Sequence, residues 1–326
     1  MSPLTDLLPK ALLPALESDM IGRLIISLRQ AGIDDCLVGV GWKKEMVIKR
    51  VLEIKGANPI QTVEVGNWET GALRTLVAVL DRLNDATAIV CPADCVTTTE
   101  ILNETLRLHH ARATVQAVTL AVDESVRQNP NVYVDSHGRL LGVGKSVPGA
   151  RPLGRSAMLL VIERAFMDAC SRYLDDGCTS VQDAINRFAS EGGIVGAAIV
   201  HGPWYDVDTI GSLLAANRSL LSGHGATCPD CMYVPEGESY HAETATTGPG
   251  GIKIGIGVII QGPCLLTGGA RVSRDCALGP SVLIRAGTKI GHTCSIRNAI
   301  LFGNSVVSPR SVLDGVVMYQ GVPYTE

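Results

Sequence analysis

The sequence predicts an α/β domain of the doubly wound type followed by a parallel β-helix. Strands alternate with helices in the first part of the chain, and hydrophobic residues recur at every sixth position in the last part. The length of 326 residues favours two domains. We place the first domain at residues 1–222, a linker rich in Gly, Pro, Thr and Ser at 223–251, and the β-helix at 252–326.

The first domain opens with a proline-punctuated stretch, residues 1–16, which we expect to be extended. Helices are then predicted at 19–31, 43–54, 70–83, 98–110, 164–173, 179–190 and from 208 to about 221. Strands are predicted at 36–40, 61–65, 87–91, 113–120, 131–134, 139–143, 157–162, 194–200 and 203–207. Strands that alternate with helices indicate a doubly wound α/β sheet.

The last part of the chain follows a period of six residues. The repeating hydrophobic positions are Ile254, Ile260, Leu266, Val272, Leu278, Ile284, Ile290, Ile296 and Phe302. A helix repeats at about 3.6 residues and a strand at about two, so neither explains this period. A parallel β-helix does, because each group of six forms one flat face and three faces complete a coil.

Composition excludes several classes of protein. The net charge of −4 does not indicate a basic surface that would bind nucleic acid, and no apolar run reaches the length of a membrane span. The chain contains ten cysteines, several of them at apolar positions, which suits free thiols in a reducing compartment. We therefore expect a cytoplasmic protein without nucleic-acid or membrane partners.

Two motifs and the β-helix carry a resemblance to a known family. The motifs are Pro3-Leu4-Thr5-Asp6-x-x-Pro9-Lys10-Ala11-Leu12-Leu13-Pro14 and Trp204-x-Asp206-x-x-Thr209. They resemble signatures of the nucleoside-diphosphate-sugar pyrophosphorylases, many of which end in a left-handed β-helix of hexapeptide repeats. The resemblance implies a Rossmann-like nucleotidyltransferase domain that joins an NTP to a sugar 1-phosphate and releases pyrophosphate.

The resemblance also implies roles for individual residues. Lys10 matches a lysine that contacts phosphate, and Asp94 and Asp206 match the carboxylates that hold Mg²⁺. Asp94 also follows a predicted strand, where ligands of such sheets collect. The next helix has a predicted capping box, Thr97-x-x-Glu100, which leaves Asp94 available for a metal. Lys145 and Gly71 match substrate-binding positions.

The chain departs from the family pattern in two places. Gly144 stands where relatives have a glutamate that holds sugar hydroxyls, which leaves the identity of the acceptor open. The chain also begins after the position of the first strand and its glycine-rich phosphate loop. We expect that an upstream segment of roughly twenty residues belongs to the natural protein, because the loss of a central strand leaves ladder edges unpaired. A non-catalytic regulatory homologue that binds nucleotide sugar is the alternative.

Other features leave further alternatives open. Cys228-Pro-Asp-Cys231, with His224 and His241 nearby, has ligands suited to zinc, although a plain linker explains the segment equally well. His292 lies within the β-helix and would be the candidate base if the chain also transferred acetyl groups. The flat faces and open end of a β-helix favour a homo-oligomer assembled through this domain.

Overall fold

The structure is a computed structural model that describes residues 1–56, 58–83, 87–111, 116–126, 128–144, 146–223 and 228–326. These residues fold into two compact units. Unit 1 comprises Met1–Arg23 and Val207–Glu326, and unit 2 comprises Leu24–Asp206. The predicted fold class, a mixed α/β domain followed by a β-solenoid, is confirmed.

The start of the chain is not extended, so that prediction is wrong. It contains helix α1 (Leu4–Leu7), a 3-10 turn (Lys10–Leu12), the strands β1 (Pro14–Ala15) and β2 (Ser18–Asp19), and helix α2 (Met20–Gln30). Strands β1 and β2 pair with each other in antiparallel register. Pro3 and Pro9 precede the two short helices and Pro14 is the first residue of β1, positions that tolerate a missing N–H group.

Unit 2 alternates helices and strands, as predicted. Its remaining helices are α3 (Lys44–Glu53), α4 (Ala72–Leu80), α5 (Thr99–His110), α6 (Arg164–Asp175) and α7 (Val181–Ser190). Its strands are β3 (Leu37–Val40), β4 (Gln61–Glu64), β5 (Thr87–Val90), β6 (Cys95–Val96), β7 (Val118–Asp123), β8 (Val132–Val134), β9 (Leu140–Val143), β10 (Arg151–Glu163), β11 (Val195–Ile199) and β12 (Tyr205–Asp206).

The main sheet of unit 2 contains six strands and is built around β10. The hydrogen-bonded order is β11-β7-β10-β8-β9, and β5 also pairs with β10. Strand β10 is antiparallel to β5, β7 and β8, whereas β7 and β11 are parallel. Its register shifts between Ser156 and Leu160, where Met158 adopts a φ of 63°. Such a bulge bends a strand, so one half of β10 pairs with β8 and the other lies between β5 and β7.

Helices cover both faces of this sheet. Val118, Leu120 and Val122 of β7 pack in one core cluster with residues of α4 and α6, while Ala121 packs in another with residues of α2 and α5. Every residue of β7 is buried. A strand that is buried on both sides belongs to the interior of an α/β sheet, and β7 accordingly lies between β11 and β10.

A buried polar network joins α5 to the sheet at the edge where β5 and β7 begin. The His109 ring nitrogens Nδ1 and Nε2 each lie 2.8 Å from an oxygen, Thr119 Oγ1 and Glu163 Oε1 respectively. The Thr119 hydroxyl donates to Gln116 at 2.9 Å, and the Thr87 hydroxyl donates to Glu163 at 3.0 Å. Each polar group in the network therefore has a partner, as burial requires.

Unit 1 contains helix α8 (Ile210–Ser222) and the solenoid. The solenoid strands are β13 (Cys231–Val234), β14 (Ser239–His241), β15 (Thr246–Thr247), β16 (Lys253–Ile254), β17 (Ile259–Gln261), β18 (Cys264–Thr267), β19 (Arg271–Val272), β20 (Ala277–Leu278), β21 (Val282–Ile284), β22 (Lys289–Ile290), β23 (Ser295–Phe302), β24 (Val306–Val307), β25 (Val312–Tyr319) and β26 (Val322–Tyr324). Successive coils pair in parallel register, and Ile254, Val272, Ile290 and Val307 stack in one column. The column fills the solenoid core.

The solenoid has three flat faces, and one of them is covered. We define the first face by β16, β19, β22 and β24, the second by β17, β20 and the first halves of β23 and β25, and the third by β18, β21 and the second halves of β23 and β25. The residues that point outward from the third face are apolar and buried: Leu265, Leu283, Ile300 and Val317. Helix α8 packs against this face and excludes water from it.

The segment 223–251, predicted to be a linker, carries three strands of the solenoid. Strands β13, β14 and β15 pair in antiparallel register with β18, β17 and β16, the strands of the first coil. An edge strand of a solenoid exposes unpaired N–H and C=O groups, and these three strands satisfy them. The polar composition that suggested a linker belongs to the turns between short strands.

Polar contacts attach the start of the chain to α8 and the solenoid within unit 1. Asn217 of α8 is buried, donates to Pro14 O at 2.8 Å and accepts from Leu16 N at 3.0 Å. Arg285 of the solenoid donates to Leu16 O at 2.9 Å and to Ser18 O. These contacts satisfy backbone groups of β1 and β2 and explain why residues 1–23 group with the solenoid.

In the part of the chain that the structure describes, no helix has both the length and the apolar composition needed to cross a bilayer.

We predict that His109→Ala lowers the free energy of unfolding by about 2 to 4 kcal/mol, because Thr119 and Glu163 each lose a buried hydrogen-bond partner. Urea denaturation at neutral pH measures this loss. The control is Asn103→Ala, which changes an exposed residue on the same helix. An equal and small effect of the two substitutions would show that the network does not stabilise the fold.

Candidate functional site

Three strands of unit 2 run in the same direction and end at one edge of the sheet. Strands β7 and β11 are parallel, and β5 and β7 are both antiparallel to β10. The chain therefore leaves β5, β7 and β11 at a common edge, through residues 91–94, 124–126 and 200–204. Ligands of open α/β sheets bind at the carboxyl ends of the strands, so this edge is the candidate site.

A short antiparallel pairing brings Asp94 and Asp206 together. Asp206 in β12 lies opposite Cys95 in β6, and Asp94 precedes Cys95 in the chain. Cys95 is buried, and this burial, together with the negative charges of Asp206 and Asp94, raises the pKa of its thiol to about 12. The thiol is protonated and unreactive at neutral pH. The two carboxylates, far apart in sequence, thus lie near the same buried group.

The two carboxylates fit Mg²⁺ by their chemistry. Mg²⁺ takes oxygen ligands and is commonly held by one or two carboxylates together with water and substrate phosphates. Within the described ranges, His, Cys, Asp and Glu side chains form no group of three or more that could hold a metal ion. The pair Asp94 and Asp206 therefore suits an ion that shares its coordination with a substrate better than an ion enclosed by protein.

A cleft of about 390 Å³ opens beside Asp206. Asp123, Arg155 and Trp204 also line it. Arg155 lies in β10 just before the bulge and is half-buried. Because a guanidinium and carboxylates face the same space, the cleft has groups for a phosphate and for a cation.

Asp123, the last residue of β7, anchors the loop that carries Asp206. Its carboxylate accepts hydrogen bonds from Trp204 Nε1 at 3.0 Å, from Ser125 Oγ at 2.6 Å and from Ser125 N at 2.9 Å. Burial raises the pKa of Asp123, but these hydrogen bonds and the charge of His201 outweigh it, so the pKa lies below its usual range. Asp123 is a carboxylate that holds Trp204, and through it the segment 201–206, against the end of β7.

A second cleft of about 540 Å³ lies next to the first and shares Val126 with it. Pro130, Pro152 and Leu153 give it an apolar wall. Glu124, Ser125 and His201 supply polar groups. Such a lining suits a ligand with one apolar face and several hydroxyl groups.

Gly154 lets strand β10 approach the end of β7. A Cβ atom at this position would lie 2.3 Å from Asp123 O and 2.8 Å from Glu124 Cα. Backbone atoms on a neighbouring strand cannot move aside easily, so any larger residue would push β10 away from the clefts. Gly154 therefore sets the distance between the segments that carry Asp123 and Arg155.

The other predicted site residues lie elsewhere or outside the described residues. Lys10 belongs to unit 1 and forms an ion pair with Asp208. Gly71 precedes α4 with a φ of 133°, and a Cβ there would lie 2.4 Å from Thr179 O, which gives this glycine a structural role. Lys145 lies outside the described residues.

The two alternatives raised for other residues gain no support. Cys228 and Cys231 form a disulfide, so neither offers the thiolate that a zinc ion requires. His224 lies outside the described residues. His292 sits at the turn between the first and second faces of the solenoid, where its Nδ1 atom is 3.1 Å from the hydroxyl of the adjacent Thr293.

One local prediction near Asp94 is wrong by one residue. Thr98, not Thr97, caps helix α5, and its hydroxyl accepts from Ile101 N at 3.5 Å. The pKa of Glu100 is lowered by its own backbone N–H and by the Thr98 hydroxyl. A threonine at either position can cap a helix, but the Thr97 side chain is buried and does not cap α5.

Sequence reasoning missed Asp123 and Arg155. Asp123 ends β7, and an acidic residue at the carboxyl end of a buried strand was a usable signal. The sequence prediction ended this strand at residue 120, before the acid, and so the signal was lost. Arg155 had no comparable signal, because the bulge that turns β10 at Met158 follows no sequence rule.

Comparison with known proteins places the chain in a family. A family model described as the MobA-like NTP transferase domain matches residues 5–176, which is more than half of the chain. The match includes Asp94, Asp123 and Arg155, whereas Asp206 lies beyond its end. A comparison with curated proteins finds no match to the chain.

We predict that Asp123→Asn lowers the free energy of unfolding at pH 7 by about 1 to 3 kcal/mol, because an amide cannot accept all the hydrogen bonds of the carboxylate. The folded pKa of Asp123 is depressed, so its contribution is present above the unfolded pKa of about 3.9 and is lost as the pH falls through the folded pKa.

Urea denaturation from pH 7 down to pH ~3 tests this prediction. The difference between wild type and Asp123→Asn should be constant at neutral pH and shrink below pH ~4. Asp168→Asn, at an exposed position on α6, is the control. A difference that stays the same at every pH would contradict the assignment of a stabilising carboxylate.

Proposed function

Because the chain belongs to the MobA-like NTP transferase family, and so contains a nucleotidyltransferase domain, we propose that it transfers a nucleotidyl group from an NTP to a sugar 1-phosphate. The products are a nucleoside-diphosphate sugar and pyrophosphate. The main support for this proposal is the pair Asp94 and Asp206, which both lie near Cys95 at the carboxyl edge of the sheet.

The reaction needs little covalent help from the protein. An ionised phosphate oxygen of the acceptor attacks the α-phosphorus of the NTP, a new P–O bond forms, and the bond to the pyrophosphate leaving group breaks. The attacking oxygen carries no proton, so a general base is not required. The protein has to align the two substrates and neutralise their phosphate charges.

In this proposal Asp94 and Asp206 hold Mg²⁺. When bound, the ion would draw charge from phosphate oxygens of the NTP and orient them. Two carboxylates leave most of the coordination positions of Mg²⁺ for water and phosphate, which matches its usual behaviour in nucleotide enzymes. The protonated Cys95 thiol offers no soft ligand that would favour zinc instead.

We assign the two clefts to the two substrates. The cleft beside Asp206 would take the phosphates of the NTP, with the half-buried Arg155 as a bidentate donor to phosphate oxygens. The neighbouring cleft would take the acceptor. Its apolar wall of Pro130, Pro152 and Leu153 suits the C–H face of a sugar ring, and Glu124 can accept hydrogen bonds from hydroxyl groups.

Lys10 remains a proposed phosphate contact. It pairs with Asp208, whose side chain is 61% exposed, so an incoming phosphate could replace a carboxylate that water already solvates. Lys10→Met should then raise the KM for the NTP.

Assembly through the solenoid also remains a proposal. Its second face exposes two apolar residues, Ile259 and Val312, which are consistent with self-association.

We predict that Asp94→Ala and Asp206→Ala each lower kcat/KM for nucleotidyl transfer by a factor of about 100 to 1,000, because phosphate charge is then no longer neutralised. The assay is release of pyrophosphate in the presence of Mg²⁺, across a panel of NTPs and sugar 1-phosphates. Asp168→Ala, which removes an exposed carboxylate on α6, is the control and should retain full activity.

The same panel distinguishes the alternatives. Release of pyrophosphate only with an acceptor other than a sugar 1-phosphate would support nucleotidyl transfer but reject a sugar 1-phosphate as the acceptor. Binding of a nucleotide sugar without turnover would reject catalysis and favour a regulatory homologue. Turnover that survives both alanine substitutions would reject Asp94 and Asp206 as the reactive centre.

A further inference from the structure

The first face of the solenoid carries a row of positive charges. Lys253, Arg271 and Lys289 occupy equivalent positions on β16, β19 and β22, and Val306 of β24 is the next residue in the row. All are exposed, while the residue after each of them points into the core and is buried. We call Lys253, Arg271 and Lys289 the basic row.

The register places like charges directly opposite one another. Lys253 pairs with Arg271 and Arg271 pairs with Lys289 on adjacent parallel strands. Adjacent strands are about 4.8 Å apart, and like charges that face each other across strands destabilise a sheet. An anion that lies along such a row would relieve this repulsion.

Within the described part of the chain, no ion pair neutralises the basic row. None of its three residues takes part in an ion pair with another described residue. Two residues after each member of the basic row, and two residues after Val306 of β24, the next outward position holds a small, uncharged residue. These residues are Gly255, Ser273, Gly291 and Ser308. A flat strip without carboxylates therefore runs beside the row and leaves space for a ligand.

The second face of the same solenoid shows the opposite arrangement. Arg297 and Asp314 are opposite each other in the register of β23 and β25, and their side chains form an ion pair at 2.8 Å. On the second face, a charged residue is thus neutralised by the residue opposite it in the next coil. On the first face, the residues of the basic row are not. Because the chain as a whole has a net charge of −4, the basic row is not a consequence of a generally basic composition.

We propose that the basic row binds a linear polyphosphate chain that lies along the solenoid axis. Such a chain presents one negative charge per phosphate in a line, which matches a straight row of cations. Arg310, at the turn between the first and second faces, extends the positive charge to one side of the row, whereas Arg274 at the equivalent turn is paired with Asp275 at 3.4 Å. The exposed row and strip contain no aromatic side chain on which a base could stack, which disfavours single-stranded nucleic acid.

The prediction is that inorganic polyphosphate binds the full chain and that binding depends on the basic row. The variant K253Q/R271Q/K289Q should weaken binding at least tenfold and should lower the slope of log Kd against log salt by roughly two to three. The control K55Q/R82Q/R139Q makes the same change in net charge at exposed positions in unit 2 and should bind as wild type does. Fluorescence anisotropy of a labelled polyphosphate at several salt concentrations measures both effects.

Further outcomes decide against the proposal. Equal loss in the two triple variants would show that only net charge matters. Binding to anionic phospholipid vesicles or to duplex DNA that is as tight as binding to polyphosphate, and equally dependent on the basic row, would show a general anion surface. Thermal unfolding controls for folding, and relief of repulsion should leave the Tm of K253Q/R271Q/K289Q unchanged or higher.

Discussion

The position of β10 between β5 and β7 determines where the candidate site can form. Because β10 is antiparallel to both, β5 and β7 must run in the same direction, and β11 follows β7 in parallel. Three loops therefore leave the sheet at one edge and bring their acidic residues with them. The bulge at Met158 then bends β10 so that Gly154 and Arg155 reach the same edge. The pairing of β12 with β6 then places Asp206 opposite Cys95, next to Asp94 in the chain.

The site depends on carboxylates with different tasks. The Asp123 carboxylate accepts three hydrogen bonds, which fix Trp204 and Ser125. Its lowered pKa keeps it ionised at neutral pH, so that it can accept all three. Asp94 and Asp206 instead flank a buried thiol that neither binds a metal nor reacts at neutral pH. The environment thus separates a structural carboxylate from the pair that we propose for Mg²⁺.

The sequence predicted those parts of the fold that follow from periodic patterns. The six-residue spacing predicted the solenoid, because the spaced residues from Ile254 to Ile296 are buried in its core. The prediction is wrong for Phe302, because the spacing shortens by one residue after Ile296 and Leu301 takes the core position opposite Ile284. Helix α8 was predicted from 208, and it begins with a capping box formed by Thr209 and Ser212. The strands at 231–247 were not predicted, since two to four residues in antiparallel pairing give no period. Arg155 was missed for a similar reason: its placement depends on a bulge and not on a pattern.

The most direct test of this account is a titration of the protein with Mn²⁺, as a substitute for Mg²⁺, with and without a non-hydrolysable NTP analogue. The EPR signal of free Mn²⁺ reports the bound fraction. If Asp94 and Asp206 hold the ion, Asp94→Asn and Asp206→Asn should each weaken binding at least tenfold, or by about 1.4 kcal/mol, while Asp168→Asn should bind as wild type does. Identical titration curves for all four proteins would contradict the assignment of this edge of the sheet as the site of nucleotidyl transfer.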